Sequence, residues 1–193
     1  MLQNYKLLLP LASLTLLMIG GFAPALRADT EAIFSNVDTT TCGCGVLIAN
    51  SYSVAEEFTP AADDSLTAAE ARLNGVLGGG TVNFALYSDS SGLPGASLGQ
   101  LGSVAVSNTQ EGLFTVNAPA PLDLMANIPY WLVLTPGTSS TDVIWEGYAS
   151  SYVPGASGVS AWTKEPALTN LQFRIDGTPV TPVPEPASAG LLL

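Results

Sequence analysis

Apolar and polar residues alternate one for one in several short runs of this 193-residue chain. In the run TVNFALY, residues 81–87, the alternation places Val82, Phe84 and Leu86 on one face. A period of two is the period of a β-strand that has one face in the core and the other in water. We therefore expect this run to be a strand with those three side chains inward.

Further runs with strand character follow later in the chain. LQFRI, residues 171–175, alternates in the same way and predicts that Gln172 and Arg174 point outward. YWLVL, residues 130–134, is apolar at every position, which is typical of a strand covered on both faces. GLFTV and DVIWEGY add two more strands. The residues expected to face the core in these runs include Phe114, Val116, Leu132, Leu134, Leu171, Phe173 and Ile175.

Stretches rich in Gly, Pro, Asp and Ser separate the strands, namely YSDSSGLPGAS, LTPGTSSTD, VPGASG and RIDGTP. Each favours a turn, because glycine reaches positive φ, proline fixes φ, and Asp and Ser bond to their own backbone. Short strands between turns, without an alternation of strands and helices, predict an all-β fold. We expect one antiparallel β-sandwich or jelly-roll-like domain over residues 29–177.

One segment, SLTAAEARLNGV at residues 65–76, has the composition of a helix. Its Ala, Glu, Arg and Leu content makes propensity alone slightly favour a helix. As a strand it would place Ala69, Ala71 and Leu73 inward. Glu70 and Arg72 would then face outward, and the surrounding architecture favours this second interpretation.

The amino terminus has the three parts of a secretory leader. A charged start with Lys6 precedes an apolar stretch and then small residues, and cleavage is expected after Ala25 or Ala28. The alternative is an uncleaved anchor helix, which Pro10 and the pair Gly20-Gly21 disfavour. Residues 1–28 are therefore interpreted as a signal peptide, and the protein is expected to be secreted.

The sequence is strongly acidic. The formal net charge is −11, and from Asp29 onward only Arg72, Lys164 and Arg174 face 16 acidic residues, which leaves −13. Such a surface repels phosphate backbones and argues against nucleic acid as a partner. The acidity itself is typical of solubility outside the cell.

An enzyme is not expected. The chain contains no histidine, which excludes Ser-His and Cys-His catalysis and histidine-rich metal sites. A glycan hydrolase ranks third among the functions, because the carboxylate pairs Glu56-Glu57 and Asp63-Asp64 are adjacent and would point to opposite faces of a strand.

Calcium binding is a weaker explanation for these acidic residues than turn formation. Asp63, Asp64 and Asp89 offer hard oxygen atoms, yet Asp and Ser are ordinary turn formers and the spaced acids of a calcium loop are missing. No cofactor is expected. Cys42 and Cys44 stand two residues apart, so a bond between them would be strained, and a local bridge or none is expected.

Aromatic residues offer a carbohydrate-binding alternative. Aromatic side chains in strands are more often core, and Trp131 inside YWLVL is expected to be buried. Tyr148, Tyr152 and Trp162 lie near loops and are the candidate glycan contacts.

The composition turns proline-rich after Asp176, and GTPVTPVPEP predicts an extended linker that does not pair into a sheet, with the domain ending near Gly177. The end of the chain, VPEPAS followed by AGLLL, resembles the start of the PEP-CTERM sorting signal of Gram-negative bacteria that secrete exopolysaccharide. Pro184, Glu185 and Pro186 match its Pro-Glu-Pro motif. The resemblance implies export through the inner membrane and recognition by an exosortase in that membrane.

In that family a membrane-spanning helix and a basic cluster follow the motif. Here residues 178–193 hold the linker and a partial signal, because Ala187–Leu193 is far shorter than the roughly 20 residues that a spanning helix needs. The chain as given is therefore expected to be released, with only transient contact with the membrane.

The middle of the chain is similar to the choice-of-anchor R type of extracellular domain. The similarity covers about residues 51–175 and is carried by SYSVAEEFTPAADDSLTAAEARL, VNFALYSDSSGLPGASLGQLGSVAVS and YWLVLTPGTSSTDVIWEGYAS. The resemblance implies a bacterial surface domain and brings no catalytic residues. Together these features predict a secreted, non-enzymatic surface or exopolysaccharide-associated protein, with a calcium- or carbohydrate-binding module as the alternative.

Overall fold

A computed structural model describes residues 30–38, 44–158 and 161–180, with the backbone alone at 148–155 and 165–169. The predicted signal peptide, Cys42 and the Pro184–Pro186 motif lie outside the described residues. Cys44 is disulfide-bonded.

The described part of the chain forms ten strands and no helix, and every strand pairing is antiparallel. The predicted all-β fold is therefore confirmed. None of the described residues belongs to a helix long and apolar enough to cross a membrane. The strands are β1 (Glu31–Ser35), β2 (Gly45–Ala49), β3 (Ser53–Phe58), β4 (Asp64–Asp89), β5 (Pro94–Val106), β6 (Glu111–Leu124), β7 (Tyr130–Pro136), β8 (Asp142–Gly158), β9 (Thr163–Leu171) and β10 (Phe173–Pro179).

The long strand β4 belongs to both layers of a sandwich-like single domain. Its first half pairs with β6 on one side and β10 on the other, and β1 lies beyond β10. Its second half pairs with β5 and β7, and the layer continues through β3, the end of β8 and β9. The start of β8 pairs with β2 and with the middle of β4. We call these the first and second layers.

The main core lies between the two layers and contains the residues that the alternation predicts. The following predicted core residues have no exposed surface: Val82, Phe84, Leu86, Leu132, Leu134, Leu171, Phe173 and Ile175. Val116 is buried and Phe114 packs against the same cluster. A second, smaller cluster of Ala55, Trp131, Val133 and Ala156 covers the other side of the second layer. Strand β7 is thus covered on both faces, as predicted.

The segment SLTAAEARLNGV is a strand, part of β4, despite its helical composition. Ala69, Ala71 and Leu73 are fully buried in the main core. On the other face, the carboxylate of Glu70 accepts a hydrogen bond from the Thr115 hydroxyl at 2.9 Å. Pairing with β6 and β10 and burial of the small apolar face outweigh a helix propensity of a few tenths of a kcal/mol per residue.

Two predictions near the end of the domain are wrong. Gln172 is fully buried instead of facing water, because it stands between β9 and β10 and bonds both β8 and β4: its backbone N–H donates to the Glu146 carbonyl at 2.9 Å and its carbonyl accepts from the Arg72 N–H at 3.0 Å.

The proline-rich segment also pairs further than expected. Thr178 and Pro179 lie opposite Ser65 and Asp64 of β4. Proline has no N–H to donate to a neighbouring strand, and the end of a strand tolerates this.

Strand β4 is longer than either of the two strands that the sequence predicts, because glycines join them. Gly79 has φ 75° and Gly80 has φ 131°, values that favour glycine. A Cβ on Gly79 would lie 2.3 Å from the carbonyl oxygen of Val106. The glycine run lets the chain bend from the first layer to the second while β5 passes close to it.

We expect Gly79→Ala to lower the free energy of unfolding by about 2 kcal/mol or more. The change adds about 1 kcal/mol for a left-handed conformation to the 1–3 kcal/mol typical of overpacking. Gly112→Ala is the matched control, since Gly112 has φ 152° but no atom within 4 Å of an added Cβ. Urea denaturation measures both; equal losses would show that the close approach to Val106 does not matter.

Candidate functional site

The outer face of the second layer carries the described residues best suited to bind a ligand. Three neighbouring strands place Tyr87, Trp131 and Glu57 side by side, since Trp131 of β7 lies opposite Tyr87 of β4 and Glu57 of β3. Side chains at directly opposed positions on one face are in contact distance. The strand alternation of β3 turns Val54, like Phe58, into the main core and leaves Glu57 on the outer face.

Asp89 lies at the end of this row. Its Oδ1 accepts a hydrogen bond from Trp131 Nε1 at 3.0 Å, which satisfies the indole of a tryptophan that has no exposed surface. The backbone N–H of Gly92 donates to both oxygens of the same carboxylate, at 3.0 and 3.2 Å. Asp89 therefore organises the turn after β4, as its DSSG sequence predicts, and fixes the orientation of Trp131.

Trp162 covers this face, just before β9 begins. Its ring meets the ring of Tyr87 edge to face, with centroids 6.4 Å apart and an interplanar angle of 79°. Both side chains are partly exposed and pack on the smaller apolar cluster. Edge-to-face contacts of this kind hold aromatic rings in place and leave ring surface open.

Lys164 is the basic residue of the site. It lies on β9 opposite Ala156, and its Nζ comes within 3.1 Å of the point where a Cβ on Gly92 would stand. We define the outer site as Glu57, Tyr87, Asp89, Trp131, Trp162 and Lys164. It holds two carboxylates, one ammonium group and two partly exposed aromatic rings around a buried tryptophan.

Electrostatics at Glu57 follow from this arrangement. Partial burial raises the pKa of the Glu57 carboxyl above its ordinary value, and the negative charge of Asp89 raises the pKa further. The ammonium group of Lys164 opposes both effects but does not cancel them. The negative charge on Glu57 is thus only partly compensated.

The structure brings together two residues that the sequence predicts for different roles. Asp89, a calcium candidate, and Trp162, a glycan candidate, both lie in the outer site. Tyr148 and Tyr152 lie on β8 with backbones opposite Asn170 and Thr169, and their side chains lie outside the description.

The other two calcium candidates lie elsewhere. Asp63 accepts a hydrogen bond from the N–H of Ala126 at 2.7 Å, and Asp64 is buried opposite Leu124 of β6. Within the described ranges, no three Cys, Asp or Glu side chains are grouped to hold a metal ion.

Sequence reasoning does not identify Tyr87 and Lys164 and lists Glu57 only as half of a carboxylate pair. The available signal is the outward position of Tyr87 in TVNFALY, because an aromatic residue on the wet face of a strand is unusual without a partner. The partner, Trp162, is 75 positions later, which the alternation does not reveal.

Glu56 shows the opposite environment one residue earlier. It is 1% exposed and faces inward, and its Oε2 accepts a hydrogen bond from the Leu171 N–H at 2.7 Å. Burial raises the pKa of Glu56 well above its ordinary value, and the Leu171 hydrogen bond opposes this only in part. As predicted for adjacent strand positions, Glu56 and Glu57 do not share a pocket.

Comparison with known proteins yields a likeness of fold. No family model matches the chain, and no curated protein matches it. One similar solved structure is described as the cysteine protease and lectin-like domains of Cwp84, a surface layer associated protein of Clostridium difficile. The TM-score is 0.50 and the sequence identity is 12%. The match covers 66% of this chain and 32% of the Cwp84 chain. At this identity the similarity concerns the fold alone.

Glu56 makes stability depend on pH. A carboxyl group whose pKa is raised by folding stabilises the protein below its unfolded pKa, and this contribution is lost as the pH rises through the folded pKa. We expect Glu56→Gln to raise the melting temperature at pH 7. We also expect it to flatten the decline of stability above about pH 4.5, which is the ordinary pKa of a glutamate carboxyl. Melting curves from pH 4 to 8 test this, with Glu111→Gln on the surface as control; an unchanged pH dependence in Glu56→Gln would contradict it.

Proposed function

We propose that this domain is a non-enzymatic, extracellular glycan-binding module of the cell surface or its exopolysaccharide, and that the outer site contacts the sugar. The observation that carries the proposal is the pair of partly exposed rings, Tyr87 and Trp162, on the same face of the second layer as the polar groups of Glu57 and Lys164. A binding site of this kind combines apolar and aromatic surface with a few placed polar groups. A sugar ring offers the matching surfaces, a C–H face for the rings and hydroxyls for the carboxylate and ammonium groups.

The fold is consistent with such a role. The similar chain named above comes from a surface layer associated protein and includes lectin-like domains. One fold hosts many functions, so this likeness supports a surface and carbohydrate role only together with the outer site.

The absence of catalysis is also part of the proposal. Glycoside hydrolysis needs two carboxyl groups that face each other across the bond, about 5–10 Å apart. Glu56 and Glu57 lie on opposite faces of β3, and Asp89 is held by the N–H groups of Trp131 and Gly92. A hydrolase therefore stays the least supported of the three functions, and a calcium-binding role has no ligand set among the described residues.

Export and sorting complete the proposal. The leader at residues 1–28 would direct the chain through the inner membrane of a Gram-negative bacterium. Pro184, Glu185 and Pro186 would present an exosortase with its motif if a membrane helix follows them in the parent gene. Fractionation of the parent bacterium, with and without its exopolysaccharide, tests this part: protein found only in the cytoplasm would contradict it.

We expect Trp162→Leu to weaken binding to isolated exopolysaccharide at least tenfold, about 1.4 kcal/mol, because it keeps apolar cover over Trp131 but removes the flat ring. Trp162→Phe keeps a ring face and should lose less. Affinity electrophoresis or calorimetry measures the binding, and melting curves confirm that both variants fold. Equal affinities of wild type and Trp162→Leu would remove the outer site from the proposal.

A further inference from the structure

The charges of the outer site indicate what kind of sugar it favours. Two carboxylates, Glu57 and Asp89, meet one ammonium group, that of Lys164. Asp89 is held by the N–H donors of Trp131 and Gly92, whereas no hydrogen bond from the described residues is made to the Glu57 carboxylate. Glu57 is therefore the group with capacity left for a ligand.

The rest of the domain adds to this preference. Lys164 is the only lysine from Asp29 onward. Both arginines are engaged elsewhere: Arg174 contacts Asp176 at 2.9 Å, and Arg72 donates to Gln172 Oε1 at 3.0 Å. A uronate or sulfate on a glycan would thus meet a domain of formal net charge −13 with little positive charge to receive it.

The aromatic rings favour the same kind of ligand. Tyr87 and Trp162 are partly exposed on the same face as Glu57, with Trp131 of β7 between Tyr87 of β4 and Glu57 of β3. The faces of tryptophan and tyrosine attract cations by about 0.5–2 kcal/mol. A partly desolvated carboxylate and open aromatic rings on one face can together hold a ligand that carries both an ammonium group and a sugar ring.

We propose that the outer site selects glycan units that carry a free, protonated amino group, with Glu57 as the counter-ion of that group. This inference rests on the proposed glycan-binding function and specifies its ligand. A primary ammonium would supply hydrogen-bond donors to Glu57 and complete the charge compensation that Lys164 provides in part, while the sugar ring stacks on Trp162 or Tyr87. The raised pKa of Glu57, caused first by burial and then by Asp89, supports the same conclusion.

The test compares three oligosaccharides of equal length by calorimetry: glucosamine, N-acetylglucosamine and uronic acid oligomers. The pH is set where the sugar amine is protonated and the Glu57 carboxylate is ionised. We expect wild-type protein to bind the glucosamine oligomer at least tenfold more tightly than the N-acetylated one, and the uronic acid oligomer most weakly. Glu57→Gln should bring the ratio between the first two to about one.

Glu111→Gln is the matched control. It removes the same charge from an exposed position on β6, in the first layer, and should keep the wild-type ratio. If Glu57→Gln and Glu111→Gln lower the ratio equally, the preference is a bulk effect of the acidic surface and the inference is overturned.

The remaining outcomes separate this inference from the proposed function. Equal binding of the glucosamine and N-acetylated oligomers, with both lost in Trp162→Leu, would overturn the amino-sugar preference and leave the glycan-binding proposal standing. No binding of any oligomer or of isolated exopolysaccharide would overturn both.

Discussion

Backbone hydrogen bonding along β4 is the interaction on which the rest of the structure depends. This 26-residue strand is paired on both sides in each half, with β6 and β10 in the first layer and β5 and β7 in the second. The two layers are therefore one hydrogen-bonded sheet that folds over at Gly78–Gly80. The main core forms because this bend turns Ala69, Leu73 and Phe84 toward a common interior. A Cβ on Gly79 or Gly80 would lie 2.3 Å from Val106 O or 2.7 Å from Thr141 Cα, so the bend requires glycine.

Gln172, at the junction of β9 and β10, is hydrogen-bonded to β4 and β8. Its carbonyl accepts hydrogen bonds from the Arg72 N–H and from Trp145 Nε1 at 3.1 Å, and its side-chain oxygen accepts from Arg72 Nε. Buried polar groups that lose their partners cost about 1–3 kcal/mol each. An apolar residue at this position would keep the backbone hydrogen bonds but lose those that the side-chain oxygen accepts from Arg72 Nε and from the Asp38 N–H.

Much of the fold follows from local sequence, and little of the site does. The alternation identifies Val82, Phe84 and Phe173 as core because a strand's side-chain period is independent of its partners. The same rule fails at Gln172, where the backbone changes partners between β9 and β10. The outer site requires the register of β4, β7 and β3 and the placement of Trp162, all of which are set by long-range pairing.

The adjacent acids Glu56 and Glu57 lie in two different environments, the core and the outer face that we propose binds a sugar. Folding raises the pKa of both carboxyls, Glu56 by burial in the core and Glu57 by partial burial beside Asp89. Acidification therefore protonates both earlier than usual, with opposite consequences. Protonated Glu56 no longer carries a buried charge, so the domain gains stability. Protonated Glu57 can no longer act as counter-ion to an ammonium group, so a cationic sugar would be released from a protein that has become more stable.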